Sequence, residues 1–233
     1  MRIPALLTLL CLLAPAASAA DAVLAKLKGK VEVMAEGTDD WVRAKEGGHL
    51  LYGDSVRVPK GGLAHITLGA DKAVLVRERS VFRLGGTAEA TELEFDFGEF
   101  LIGLRKKLTA KQRFSVRTPA AVAAVRGTLF WGLSDRKDRS TTYAGFGGKV
   151  SVEAEGKTVE VTPGRTVVVK KGEPPSDPAP STVTLEYAGD RWLHRLFAQP
   201  RNLLSRAHFA MLLEIVGFNR HCRRLLAAGN TVS

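Results

Sequence analysis

The chain has 233 residues, 45% of them hydrophobic and 25% charged, and a formal charge of +10. That length allows one large domain, or one domain with an appendage. The charge suggests an anionic neighbour (lipid head groups, cell-wall polymer or an acidic protein patch), or serves solubility alone. With only Cys11 and Cys222, a metal site of several thiolates is excluded.

The N-terminus reads Met1-Arg2, an apolar run from Ala5 to Leu13, then Ala14-Pro15-Ala16-Ala17-Ser18-Ala19. A positive start, a short apolar stretch and the small-x-small pattern Ala17-Ser18-Ala19 predict a secretory signal peptide over residues 1–19, cut between Ala19 and Ala20. The run is shorter than the roughly 20 residues that cross a bilayer. A lipoprotein reading would acylate Cys11, but bulky Leu10 stands where a small residue is wanted. Cleavage leaves Cys222 as the lone thiol, read either as a half-buried apolar residue on a helix or as a reactive one. The expected location is periplasmic or extracellular.

Between residues 23 and 171 the dominant period is two. Val31 and Val33, Val56 and Val58, Ile66 and Leu68, and Val74 and Val76 alternate with other residues. So do Phe114 and Val116, Val150 and Val152, Val159 and Val161, and Val167 and Val169. Glycine pairs such as Gly61-Gly62 and Gly147-Gly148 bound the runs, which predicts brief antiparallel strands joined by tight turns. Pro59, Pro119 and Pro163 fall near expected strand ends, where a missing N–H does least harm. The clearest strand, Glu92 to Phe97, places three acids on one face and three large apolar side chains on the other.

There is an internal echo. Gly29-Lys30-Val31-Glu32-Val33 is answered by Gly148-Lys149-Val150-Ser151-Val152, and Gly53 to Val58 by Gly164 to Val169. Two occurrences favour a sandwich- or barrel-like β domain with similar pieces at its two ends over a solenoid. The expected fold is thus mostly β, with a C-terminal α-helical appendage.

The densest charge is Arg105-Lys106-Lys107, continued by Lys111 and Arg113. It reads either as an anion or partner contact, or as a solvated hairpin tip paired across strands with Glu92, Glu94 and Asp96. The next stretch runs from Phe114 through Thr118-Pro119 and Arg126-Gly127-Thr128 to Phe130. Proline ends a strand at Thr118. Gly127 suits a backbone contact that a Cβ would obstruct. Arg126 offers five donors in a rigid fork. Arg126-Gly127-Thr128 is either a structural clasp at a chain reversal or the seat of a ligand-facing arginine.

Residues 172–182 form a proline-rich spacer and mark a boundary, with four prolines between positions 174 and 180. Beyond it, residues 183–233 turn to helical spacing. Leu185, Trp192, Leu193, Leu196 and Phe197 form one apolar stripe, with Asp190 as N-cap. Pro200 opens a second helix, with Leu203, Leu204, Ala207, Met211, Ile215 and Phe218 on its apolar side. Arg191, Arg195, Arg201 and Arg206 occupy the polar faces. Such helices either lie on an anionic membrane or a partner, or dock across an open face or edge of the β domain.

The stretch Phe114 to Phe130 resembles the signature of the FecR domain, a β-rich extracytoplasmic module of bacteria. Gly-x-Val-x-Val near the start, Gly53-Asp54, Leu68-Gly69-Ala70-Asp71, and a final Gly-x-Val-x-Val leading to Thr162-Pro163-Gly164 extend the likeness over residues 23 to 172. Thr118, Pro119, Arg126, Gly127, Thr128 and Phe130 are its motif residues, structural first and binding second. The resemblance implies a module that receives a signal. In the best-known relatives that region lies outside the inner membrane, hears an outer-membrane receptor, and reaches a sigma factor through a cytoplasmic segment. Neither that segment nor a span is read here, which favours the exported, stand-alone type.

No catalytic constellation emerges. His49, His65, His194, His208 and His221 form no pair at short ligand spacing, and Asp39-Asp40 reads as a turn. There is no Gly-x-Ser-x-Gly elbow and no phosphate-cradling loop. The expectation is a non-catalytic envelope protein, without cofactor or metal, that binds an envelope protein. The alternatives are a cell-wall or surface glycan, or an anionic membrane surface. Nucleic acid is disfavoured by export and by a basic run without aromatic residues.

Overall fold

A computed structural model describes residues 22–183. The predicted signal peptide with Ala19 and Ala20, and the predicted helical tail with Arg191, Arg195, Arg201 and Arg206, lie outside the described residues. Within them the period-two segments become strands in two layers, sheets A and B, and no helix forms.

The chain alternates between the layers. β1 (Ala22–Lys28) lies in sheet A, and β2 (Glu32–Met34) and β3 (Val42–Arg43) lie in sheet B. β4 (His49–Leu50) returns to A and β5 (Ser55–Val58) to B. The hairpin of β6 (Leu63–Leu68) and β7 (Lys72–Val76) is in A, and β8 (Ser80–Gly86) is in B. β9 (Ala90–Leu104) belongs to both. β10 (Arg113–Arg117) and β11 (Val122–Val125) follow in B, then β12 (Leu129–Ser134) and β13 (Thr141–Gly147) in A. β14 (Val150–Ala154) and β15 (Lys157–Val161) are in B, and β16 (Arg165–Val169) and β17 (Ala179–Pro180) in A.

Sheet A runs β4-β1-β6-β7-β9-β12-β13-β16-β17. Sheet B runs β3-β2-β5-β8-β9-β10-β11-β14-β15. Neither closes on itself, so the architecture is a sandwich and the barrel alternative falls. Two details depart from brief antiparallel strands. β9 is 15 residues long, and it pairs with β10 in parallel.

One strand serves both sheets because of Gly98. Up to Phe95 the inward residues of β9 are Leu93 and Phe95; beyond Gly98 they are Phe100, Ile102 and Leu104. The inward parity changes as the strand crosses from one layer to the other. Gly98 has φ +133°, and a Cβ there would stand 2.2 Å from Ser80 Oγ and 2.7 Å from Ser80 Cα. Only glycine fits that crossing.

The main core lies between the sheets, where inward valines of both layers meet. Phe82 and Phe95 of sheet B stack at 5.1 Å, Phe95 meets Phe100 at 4.4 Å, and Phe100 meets Phe130 edge-on at 6.1 Å. This row of rings spans the sandwich, and such pairs add ~1 kcal/mol each beyond burial.

The first echo has a structural meaning. The β1–β2 corner at Gly29 packs on the β5–β6 corner, and a Cβ on Gly29 would lie 2.6 Å from Gly61 O. The β13–β14 corner at Gly148 packs on the β11–β12 corner in the same way, 2.5 Å from Gly127 O. β1 pairs with β6 and β2 with β5, just as β13 pairs with β12 and β14 with β11. The second echo has no such counterpart, since β5 lies in sheet B and β16 in sheet A.

Candidate functional site

The motif stretch occupies the β10–β11 hairpin and the β11–β12 corner. Thr118-Pro119-Ala120-Ala121 is the hairpin turn. The Thr118 N–H donates to Ala121 O at 2.9 Å, and the Ala121 N–H donates back to Thr118 Oγ1 at 3.2 Å. Proline adopts this turn position readily because its φ is already set. The Thr118 hydroxyl is buried and also accepts from Thr141 Oγ1 at 2.9 Å, with the Tyr143 hydroxyl 3.2 Å away. Burial pushes the Tyr143 phenol well above its ordinary pKa, so it stays neutral. These hydroxyls tie the sheet B hairpin to β13 of sheet A.

The corner that follows is closed by backbone. Gly127 has φ +125°, and a Cβ on it would lie 2.9 Å from Lys107 Cα. Leu108 N–H donates to Arg126 O at 3.3 Å, and Leu104 N–H to Thr128 O at 3.0 Å. The Arg126 side chain is exposed and makes no hydrogen bond or ion pair among the described residues. Thr128 is buried, and its hydroxyl has no partner there. Phe130 is a core ring. Backbone approach at glycine therefore makes the reversal, and Arg126 faces outward.

Arg105, Lys106, Lys107, Lys111 and Arg113 lie on and just after the crossover from β9 to β10, not at a hairpin tip. The parallel register sets Arg113 opposite Ala90 and Arg117 opposite Glu94. Lys106 pairs with Asp71 at 3.5 Å, and Arg105 N–H donates to Asp71 O at 2.7 Å. Glu92 pairs instead with Arg117, at 2.8 Å.

An open cleft of about 540 Å³ lies on the outward side of sheet B beside Thr118 and Pro119. Arg83, Arg117, Arg139 and Lys171 line it, with Glu94 and Asp96. Arg83 reaches Glu36 at 3.0 Å and Glu94 at 3.7 Å. Arg139 and Lys171 have no ion pair among the described residues. The cleft therefore holds an excess of cations beside apolar Pro119 and Val81, an arrangement suited to binding a carboxylate-bearing segment. Arg83, Arg139 and Lys171 carry no local sequence signal. Their convergence depends on strand pairing and on the β12–β13 loop, where Arg139 takes φ +60°.

Two further features are built from pieces of the resemblance. Asp54 is buried and accepts the backbone N–H groups of Glu36 at 3.1 Å and Leu51 at 2.9 Å, locking the approach to β5. Glu32 pairs with Lys30 at 2.8 Å and Arg57 at 2.7 Å. Lys30 first, and then Arg57, hold its carboxyl below the usual range against the opposing effect of burial. Among the described residues no His, Cys, Asp or Glu cluster of three could hold a metal, and no helix is long and apolar enough to cross a membrane.

No curated protein matches the chain. Two crystal structures, at 2.50 Å and 1.65 Å resolution, of a protein described as a "putative anti-sigma factor" from Parabacteroides distasonis are similar to it. Each has 18% identity and a TM-score of 0.48, covering 63% of this chain. The chain spans 64% and 65% of their lengths, less than two thirds. The family described as FecR protein matches residues 54–170, from Asp54 to the end of β16, taking in the Thr118 turn, the Gly127 corner and β9. Half of the chain is covered by that match, and the chain belongs to the FecR protein family.

Proposed function

We propose that this chain is a non-catalytic module of the bacterial envelope that binds a protein partner and relays a signal. The family match over residues 54–170 carries the reading, because the FecR resemblance implies a domain that receives signals outside the inner membrane. The cleft beside Thr118 and Pro119 is the proposed contact, and Arg139 and Lys171, which make no ion pair among the described residues, suit an acidic segment of the partner. The test is affinity capture from envelope extracts with residues 20–233, set against Arg139→Glu/Lys171→Glu. A protein recovered by the native chain and lost with the double variant supports the reading. No specific protein, or equal recovery by both, overturns it.

The proposed location outside the cytoplasm is checked by sequencing the processed N-terminus. Ala20 supports export, and an intact Met1 refutes it. The excess of cationic over acidic residues on a β scaffold favours a second reading, a cell-wall glycan binder. Co-sedimentation with purified peptidoglycan that resists salt supports it, and the absence of co-sedimentation removes it.

A further inference from the structure

The two outer faces of the sandwich differ. Outward positions of sheet B carry charged rows such as Arg83, Glu94 and Arg117. Outward positions of sheet A are apolar at the centre, where Leu75, Leu101, Trp131 and Ala144 stand side by side on four adjacent strands. Their strand neighbours Val74, Phe100, Phe130 and Tyr143 point the other way, into the main core. The outward set forms a second apolar cluster with Leu63 and Leu129. Polar side chains border it, and His65 is buried opposite Leu75 on the neighbouring strand. Trp131 Nε1–H donates to Glu99 at 2.8 Å, and Arg77 holds the same carboxylate at 3.0 Å.

A sheet face of this composition is ordinarily covered by another layer. Among the described residues, Val183 alone joins the cluster from outside the sheet. It does so at the point where the described chain ends. Residues 176–181 are held along the edge of sheet A. Ser176 N–H donates to Val168 O, β17 pairs with β16, and Ser181 N–H donates to Gly164 O at 2.9 Å. The proline-rich spacer is thus fastened to the domain, and it delivers the following residues to the rim of the apolar face. Those residues, 184–233, carry the amphipathic pattern with Leu204, Met211 and Ile215 on one side and Asn202 and Arg206 on the other.

We propose that residues 184–233 fold back over the outward face of sheet A, their apolar stripe on Leu75, Leu101, Leu129 and Trp131, and their arginines toward water. The spacer is then a strap, and the tail is a third layer of the same domain. The inference does not depend on the partner-binding reading above.

Trp131 is the reporter. In residues 20–233 carrying Trp41→Phe and Trp192→Phe, its emission is expected to be blue-shifted and shielded from acrylamide at concentrations where ultracentrifugation shows a monomer. Leu204→Asp with Met211→Asp is expected to shift the emission to the red and raise quenching several-fold, while Asn202→Asp on the polar side changes neither. Trp131 quenched freely in the monomer, and shielded only on dimerisation or on adding anionic vesicles, overturns the proposal. Should the double variant fail to fold, a nitroxide on Cys222 gives a second reading in the native sequence. Selective broadening of the Leu101 and Leu129 methyls over those of Met34 and Val122 on sheet B supports it. Equal or absent broadening refutes it.

Discussion

Thr118 shows how much one side chain of the motif holds. Its hydroxyl joins a hairpin of one sheet to Thr141 and Tyr143 of the other, all three side chains being buried. Thr118→Val keeps the shape and leaves the Ala121 N–H and its hydroxyl partners unmatched, which is expected to cost roughly 2 kcal/mol in urea unfolding. Tyr143→Phe removes a single hydroxyl and should cost about 1 kcal/mol. Equal losses would mean that Thr118 is not the hub. Thr118 was legible as a strand end in the sequence; its role as hub was not, because Tyr143 lies 25 residues away.

Glu32 makes a pH-dependent contribution of definite sign. Its carboxyl is held below the ordinary value in the folded chain, chiefly by Lys30 and also by Arg57. The unfolded chain therefore binds the proton first as pH falls. The stabilisation is complete above the ordinary carboxylate pKa and is lost as pH drops through the lowered folded value. Glu32→Gln is expected to flatten that part of the acid limb in a series of unfolding curves. Parallel wild-type and variant curves would show that the ion pairs contribute nothing measurable.

At the scale of elements, β9 is the member on which the architecture turns. Its first half pairs with β8 and β10, its second with β7 and β12, and Gly98 is the joint. Gly98→Ala combines a left-handed φ with overlap on Ser80, and is expected to cost about 3 kcal/mol or more. A loss below 1 kcal/mol, measured by chemical denaturation, would show that the crossing relaxes easily. Alternation along Glu92 to Phe97 was readable from the sequence. The change of parity past Gly98 was not, since a lone glycine in a strand pattern marks a bulge, a bend or a close approach alike. The same limit applies to the echoes. Both share a glycine and alternating valines, but only the first pair occupies equivalent corners.

The whole molecule is assembled from contacts distant in sequence. β1 pairs with β6, β2 with β5, β11 with β14 and β13 with β16, and β9 and β10 pair in parallel across the 105–112 crossover. Loop closure must precede these contacts, so refolding after a denaturant jump is expected on a scale of about milliseconds to seconds. A microsecond phase carrying the full amplitude would contradict this. The basic run belongs to the same scale. As a hairpin tip it would have faced Glu92; as a parallel crossover it leaves Glu92 to Arg117.

From its sequence alone the chain was recognisable as a β domain of the FecR type, with inward valines, strand-ending prolines and glycine corners in place. These depend on local sterics and on the period of a strand, which any partner satisfies. Which strands share a layer, where β9 changes layers, and which outward residues meet across strands were decided only in the tertiary structure. An alternating segment states that one face is buried, but not against what. The apolar outer face of sheet A arises in the same way. Leu75, Leu101 and Trp131 are scattered along the chain, and only strand pairing brings them together.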